Sequence, residues 1–197
     1  MIAPGRPLAC FPISMQRDRE KALAVLESWV LDPKAGLPYE LFLFVSRLVP
    51  MINVDLLISD DQGRILLTWR DDEIFGAGWH VPGGMIRYQE TAEERIRATA
   101  LDELGAEVAF EGTPFFAQTI EPKRRLRGHL VSLVYRCRLT SPLNEAIRFN
   151  GGKPERGQWA WHARWPRNII AVHGPYRKFF QGFRPTRHQV LRPTSRA

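Results

Sequence analysis

Cysteine is nearly absent from this chain: there are two among 197 residues, Cys10 and Cys137, far apart in sequence. That scarcity argues against a disulfide framework or a zinc site, and points to a reducing, cytoplasmic compartment. Long apolar runs are missing too. No segment approaches the roughly 18 apolar residues of a membrane span. The tripeptide Leu8–Cys10 has neither a basic start nor a long apolar stretch before it, which argues against a lipid-anchor signal. Acid is missing from the end of the chain. After Glu155 there are nine Lys and Arg and no Asp or Glu, whereas the portion up to Glu155 has 19 basic against 21 acidic residues. The +7 net charge is therefore a property of the tail. No RNA or DNA module accompanies it. It reads as a solvated arginine-rich tail that helps draw in anionic nucleotides, rather than as a nucleic-acid surface.

What is present is a hydrophobic content of 44% and enough aromatics for one packed domain with extensions. Residues after Met15, itself a candidate start, read as a helix with Leu23, Leu26 and Val30 along one side. Glu40 to Leu48 reads as a second helix. Strands are expected at 51–59, 64–70, 79–82, 106–111, 115–120, 129–139 and 159–161, a long loop at 142–154, and a last helix from Gly174 to Gly182. The strongest helix signal lies at 91–105. Thr91 and Glu94 have capping-box spacing, Ala92, Ile96, Ala100 and Leu104 recur at helical spacing, and Gly105 stands where helices end left-handed. Glu90, Asp102 and Glu103 then sit at the two ends of one helix, opposite the glycine pair Gly83-Gly84. Clustered carboxylate oxygens suit a hard divalent cation that also binds substrate phosphate.

The pattern from Gly84 through Glu90, Asp102, Glu103 and Gly105 resembles the Nudix box, G-x5-E-x7-R-E-U-x-E-E-x-G-U, where U is a bulky aliphatic residue. Two departures stand out: Ala98 occupies the arginine position, and Thr99 occupies that of the first glutamate in the final cluster. A narrower resemblance accounts for them. The runs 50–55, Gly63, Leu66-Leu67, Arg70, 78–84 and 129–139 are similar to the GDP-mannose mannosyl hydrolase branch, whose box is eroded. The likeness spans roughly residues 37 to 165.

Mixed strands with helices, one of them crossing between strands, imply an α/β/α sandwich with a mixed sheet and N-terminal helices, and the resemblance implies the Nudix arrangement, with an N-terminal extension at 1–36, the hydrolase domain at 37–170 and a basic tail at 171–197. It implies Mg²⁺, with Mn²⁺ as a substitute, and a nucleotide-sugar substrate attacked by water at the sugar carbon. Glu103 and the Gly83 carbonyl are the implied metal ligands. Asp102 either holds a second metal or balances nearby arginines. Asp55 is implied at the sugar and Arg70 on the leaving diphosphate. Met85 replaces a second arginine, for which Arg87 is a stand-in. Arg156 occupies the place of the branch's histidine base and stays protonated. The base or a further ligand therefore falls to Glu155, with His129 and His162 as other candidates. Trp79 and Phe75 either stack on a base or sugar or are simply buried. Two alternatives remain: hydrolysis of a phosphoanhydride in nucleoside triphosphates, dinucleotides or ADP-ribose, and a silent nucleotide-binding module. The oligomeric state stays open, a homodimer included.

Overall fold

The computed structural model describes residues 13–180. Two sheets form the body. In one, strands β4 (Gly83–Met85), β1 (Met51–Ile58), β6 (His129–Leu139) and β5 (Val108–Ile120) lie in that spatial order. This sheet is mixed, since β1 runs parallel to β6 and antiparallel to β4. In the other, β3 (Gly76–His80), β2 (Ile65–Asp72) and β7 (Trp159–His162) are antiparallel.

Strand β1 explains the layering. Its run of buried residues, Val54 to Ile58, has no exposed face, as expected of a strand covered on both sides. Alternation sends Val54, Leu56 and Ile58 into one core with Ile96, Ala100, Leu104 and Trp159. It sends Leu57 into a second core with Leu67, Trp79, Val134 and Tyr176. Helix α3 (Ala92–Leu104) covers the first face. The second is covered by the 3₁₀ turn Ala171–Tyr176, which runs into α4 (Arg177–Phe180). The result is the mixed α/β fold that the sequence implies.

Helix α3 keeps its expected boundaries. The Thr91 hydroxyl accepts from Glu94 N–H at 3.2 Å, the Glu94 carboxylate accepts from Thr91 N–H at 2.8 Å, and Gly105 has φ 60. Three expectations change. The glycine pair is itself a strand, β4, because Gly83 and Gly84 lack the side chains that would keep it from β1 and α3. The strands expected at 106–111 and 115–120 are one strand with a register shift between Glu111 and Phe115, where Gly112 has φ 69. The long loop holds a 3₁₀ turn at Glu145–Ile147. N-terminal helix α1 (Ile13–Ser28) precedes α2 (Tyr39–Val45). The expected inner side of α1 is barely covered, since Leu23 is exposed and only Leu26 and Val30 are half-buried. Cys10 and the arginines from Arg184 onward lie outside the described residues. Among the described residues, no helix is long and apolar enough to cross a membrane.

Candidate active site

Glu103 sits in the last turn of α3, one residue before buried Leu104, so its carboxylate reaches the strand edge beside the helix. One oxygen accepts from the Gly83 N–H at 3.2 Å, and the other from the Thr68 hydroxyl at 2.9 Å. The Nε2 of His80 lies 3.8 Å from the second oxygen. Burial pushes Glu103 up to about 7, against the hydrogen bonds from Gly83 and Thr68 and the charge of Arg70. Burial and Arg70 push His80 down to about 3, so it carries no charge to offset the carboxylate. Its Nδ1 is 2.9 Å from the Val81 carbonyl and donates there, which leaves Nε2 to accept from Thr68 at 2.9 Å. The single Thr68 proton then faces two acceptors, Glu103 and His80, so the cluster is one donor short.

The edge facing Glu103 is backbone. Leu56 N–H donates to Pro82 O and Ile86 N–H to Ile52 O, which fixes the bonded register of β4 on β1. The amide and carbonyl of Gly83 therefore both point away from β1, the amide onto Glu103. A side chain at Gly83 would overlap Asp55 Oδ1 and approach Val54 O to 2.9 Å. One at Gly84 would overlap Thr99 Oγ1 and approach Arg95 Cδ to 2.8 Å. Thr99 thus faces the glycine strand with a hydroxyl, which is buried and has no hydrogen-bond partner among the described residues.

Asp55 lies on β1 across from Gly83. Its carboxylate accepts from Asn53 Nδ2 at 2.8 Å and from the Tyr176 hydroxyl. Burial pushes it up to about 6. The cavity it faces is small, ≈ 40 Å³, and is lined also by Val172 and His173. A second cavity of ≈ 430 Å³ is lined by Thr68, Asp102, Glu103, Arg156 and Gly157. Arg70 and His80 border both. The Arg70 side chain is paired with Asp72 at 3.2 Å.

The structure brings Glu103, Gly83, Arg70 and Asp55 to this double cavity, with Asp102 on its larger half. Glu155 is exposed in the turn just before Arg156 and Gly157; its N–H is tied to Gln158 Oε1 at 3.0 Å. Arg87 is exposed beside Gly36 and lines neither cavity. His129 lies on β6 opposite Ile120, bonded to Gln118 at 2.8 Å, in a separate basic hollow with Arg47 and Arg125. His162 packs on Trp79 with ring centroids 4.6 Å apart, and burial pushes it down to about 4. Trp79 is core, whereas Phe75 is half-buried at the edge of the smaller cavity. Glu90 holds Arg95 through bonds of 2.8 and 2.5 Å, one turn before Ala98.

Sequence reasoning missed Thr68, His80, Tyr176 and Arg127. A register argument would have found the first two, since Thr68 and His80 are partners across β2 and β3. No local signal marks Tyr176, which reaches Asp55 from 121 residues away.

The NUDIX domain family description matches residues 49–165. Over 63 residues the chain is 38% identical to the low-salt glycan biosynthesis protein Agl8 of Haloferax volcanii; the match takes in 32% of this chain. The chain spans about 40% of the length of that curated relative. Among solved structures, a MutT protein from Methanosarcina mazei Go1 superposes with a TM-score of 0.51 at 17% identity, covering 67% of this chain and 91% of that one. A MutT Nudix hydrolase from Burkholderia pseudomallei has a TM-score of 0.46 at 22% identity, covering 62% and 92%. The chain belongs to the Nudix hydrolase family. Members of this family generally use Mg²⁺ or Mn²⁺.

Among the described residues, no three His, Cys, Asp or Glu side chains converge to hold a metal. The donors present are the half-buried Glu103 carboxylate, which is in no ion pair with Lys or Arg among the described residues, and a backbone edge beside it. That set fits a single Mg²⁺ shared with substrate phosphate, rather than an all-protein cage.

Proposed function

We propose that this Nudix hydrolase cleaves a nucleotide sugar of the GDP-mannose type, with water attacking the sugar C1 and a nucleoside diphosphate leaving. The observation that carries this reading is the hydroxyl of Thr99 against Gly84. A carboxylate there would add to Glu103 and build the charge-rich site that phosphorus-directed chemistry draws on. A hydroxyl leaves Glu103 as the one helix acid turned to the glycine strand. Glu103 and the Gly83 carbonyl would hold the Mg²⁺, which when bound draws charge from the departing diphosphate.

The chain's own residues do the rest. Arg70 binds the diphosphate, because guanidinium matches phosphate oxygens in bidentate fashion. Asp55 binds the sugar. The water oxygen bonds to C1, the C1–O bond breaks with its electron pair passing to the diphosphate, and the water proton passes to Glu155, which lies one residue before the cavity-lining Arg156 and itself lines neither cavity. The Tyr176 hydroxyl occupies one oxygen of Asp55, so a sugar hydroxyl would bond the other oxygen or displace Tyr176. A cytoplasmic location completes the reading and agrees with the scarcity of cysteine.

Product analysis tests this directly. Incubation of GDP-mannose with the protein and Mg²⁺ should give GDP and free sugar. GMP and sugar phosphate would instead support the second reading, phosphoanhydride hydrolysis, which is favoured by Asp102 and Arg156 lining the same cavity as Glu103. For the base, Glu155→Gln should lower kcat at least about tenfold, ~1.4 kcal/mol of barrier, with KM nearly unchanged. His129→Gln should alter neither. The reverse pattern would move the base to β6.

A further inference from the structure

Three guanidinium groups gather on one phenyl ring. Arg70, Arg124 and Arg127 place their guanidinium carbons 5.2, 4.8 and 4.7 Å from the centroid of Phe75. Asp72 is the carboxylate that acts on this group. It is already paired with Arg70 at 3.2 Å, and it caps the Ile74 and Phe75 amides at 2.9 and 2.8 Å. The cluster therefore carries excess positive charge in a partly desolvated place.

Arg127 bears most of that cost. Its Nε is buried with no hydrogen-bond partner among the described residues. Burial and the Arg70 charge push it down to about 10. Its backbone is left-handed, φ 51, a conformation that costs a non-glycine residue on the order of 1 kcal/mol. The 121–128 turn enforces this shape: Glu121 N–H donates to Gly128 O at 2.7 Å, Arg124 N–H to Glu121 O at 3.0 Å, and Arg127 N–H to Ser46 Oγ at 3.3 Å. Stacking on Phe75 and, at 5.6 Å, on Phe42 holds the guanidinium in place, but the strained backbone, the orphaned Nε and the mutual repulsion remain as costs. They are explained by an anion that the cluster is shaped to receive. Arg127 and Arg70 also border the same cavity as Asp55, Gly84 and Met85. The positive charge absent at Met85 thus enters the cavity from the β5–β6 turn.

We propose that Arg127 and Arg70, which line the Asp55 cavity, form a diphosphate cradle at its mouth, with Arg124 joining them on the face of Phe75 from the neighbouring hollow. The choice of ligand rests on the nucleoside-diphosphate reading above, but the cradle does not depend on which atom water attacks. Phe75 keeps the guanidinium planes apart and in place, leaving their N–H edges for phosphate oxygens.

The test is calorimetric titration of the full chain with inorganic pyrophosphate in the presence of a chelator, so that neither metal nor turnover enters. Wild-type protein should bind pyrophosphate, and Arg127→Met should weaken binding at least about tenfold. Arg127→Lys should recover part of the affinity. A merely structural arginine would lower the melting temperature when replaced, whereas an orphaned charge should not. Arg127→Met should therefore melt no lower than wild type. Wild-type protein that fails to bind pyrophosphate, or Arg127→Met with unchanged affinity, overturns the cradle. Arg127-dependent binding together with phosphorus-directed hydrolysis would keep the cradle and discard the sugar-carbon reading.

Discussion

Replacing Glu103 by Gln should lower Mg²⁺-dependent turnover by at least about tenfold, ~1.4 kcal/mol of barrier, and raised Mg²⁺ should recover part of it. The amide keeps the shape of the carboxylate: its oxygen can still accept from the Gly83 N–H, while its NH2 donates to the Thr68 hydroxyl, whose proton is then free to turn to His80. What it loses is the charge that would hold a cation beside the glycine edge. Because burial already pushes Glu103 up to about 7, neutralising it should not destabilise the fold. A variant with wild-type melting temperature and a steeper Mg²⁺ requirement is the expected result. Unchanged kinetics at every Mg²⁺ concentration would mean that the metal does not rest on Glu103.

Gly83→Ala should damage both stability and activity. The added methyl would overlap Asp55 Oδ1 and lie 2.9 Å from the Val54 carbonyl, and backbone on the neighbouring strand cannot move aside as a flexible side chain can. Overpacking of this kind costs on the order of 2 kcal/mol, or about 4–8 °C in melting temperature for a domain of this size. Any relaxation that spares the fold shifts Gly83 away from Glu103, so turnover should also fall at least about tenfold. Gly174→Ala is the matched control, since open space surrounds that position. Thermal melts and turnover of the two variants decide the matter; equal behaviour would show that β4 is free to move.

Legibility from sequence followed the range of the interactions. Helix α3 was readable to the residue because its cap, apolar spacing and terminal glycine are all local. Strand β6 was equally clear, as a run rich in Leu, Val and Tyr with no Gly or Pro to interrupt it. Strand β4 was not. A glycine pair has no pattern of its own, and it becomes a strand only because β1 and α3 leave it no room for side chains. The bulge near Glu111–Phe115 looked like a chain break for a similar reason, since Gly112 and Pro114 punctuate a strand whose pairing with β6 resumes beyond them.

The site divides in the same way. Glu103 was visible through the box. The hydrogen-bond partners of Glu103 and Asp55 come from strand register and from the 171–176 turn, and neither is written in a short motif. Arg87 and Arg127 are the sharpest contrast. The first is near the glycine pair in sequence and turns out toward Gly36, while the second lies more than forty positions past the pair and borders the cavity.

The central claim is that water attacks carbon rather than phosphorus. Hydrolysis of GDP-mannose in ¹⁸O-enriched water with Mg²⁺, followed by mass analysis of both products, tests it most directly. Heavy oxygen should appear in the released sugar and not in the nucleotide. Heavy oxygen in a phosphate of the nucleotide would contradict it.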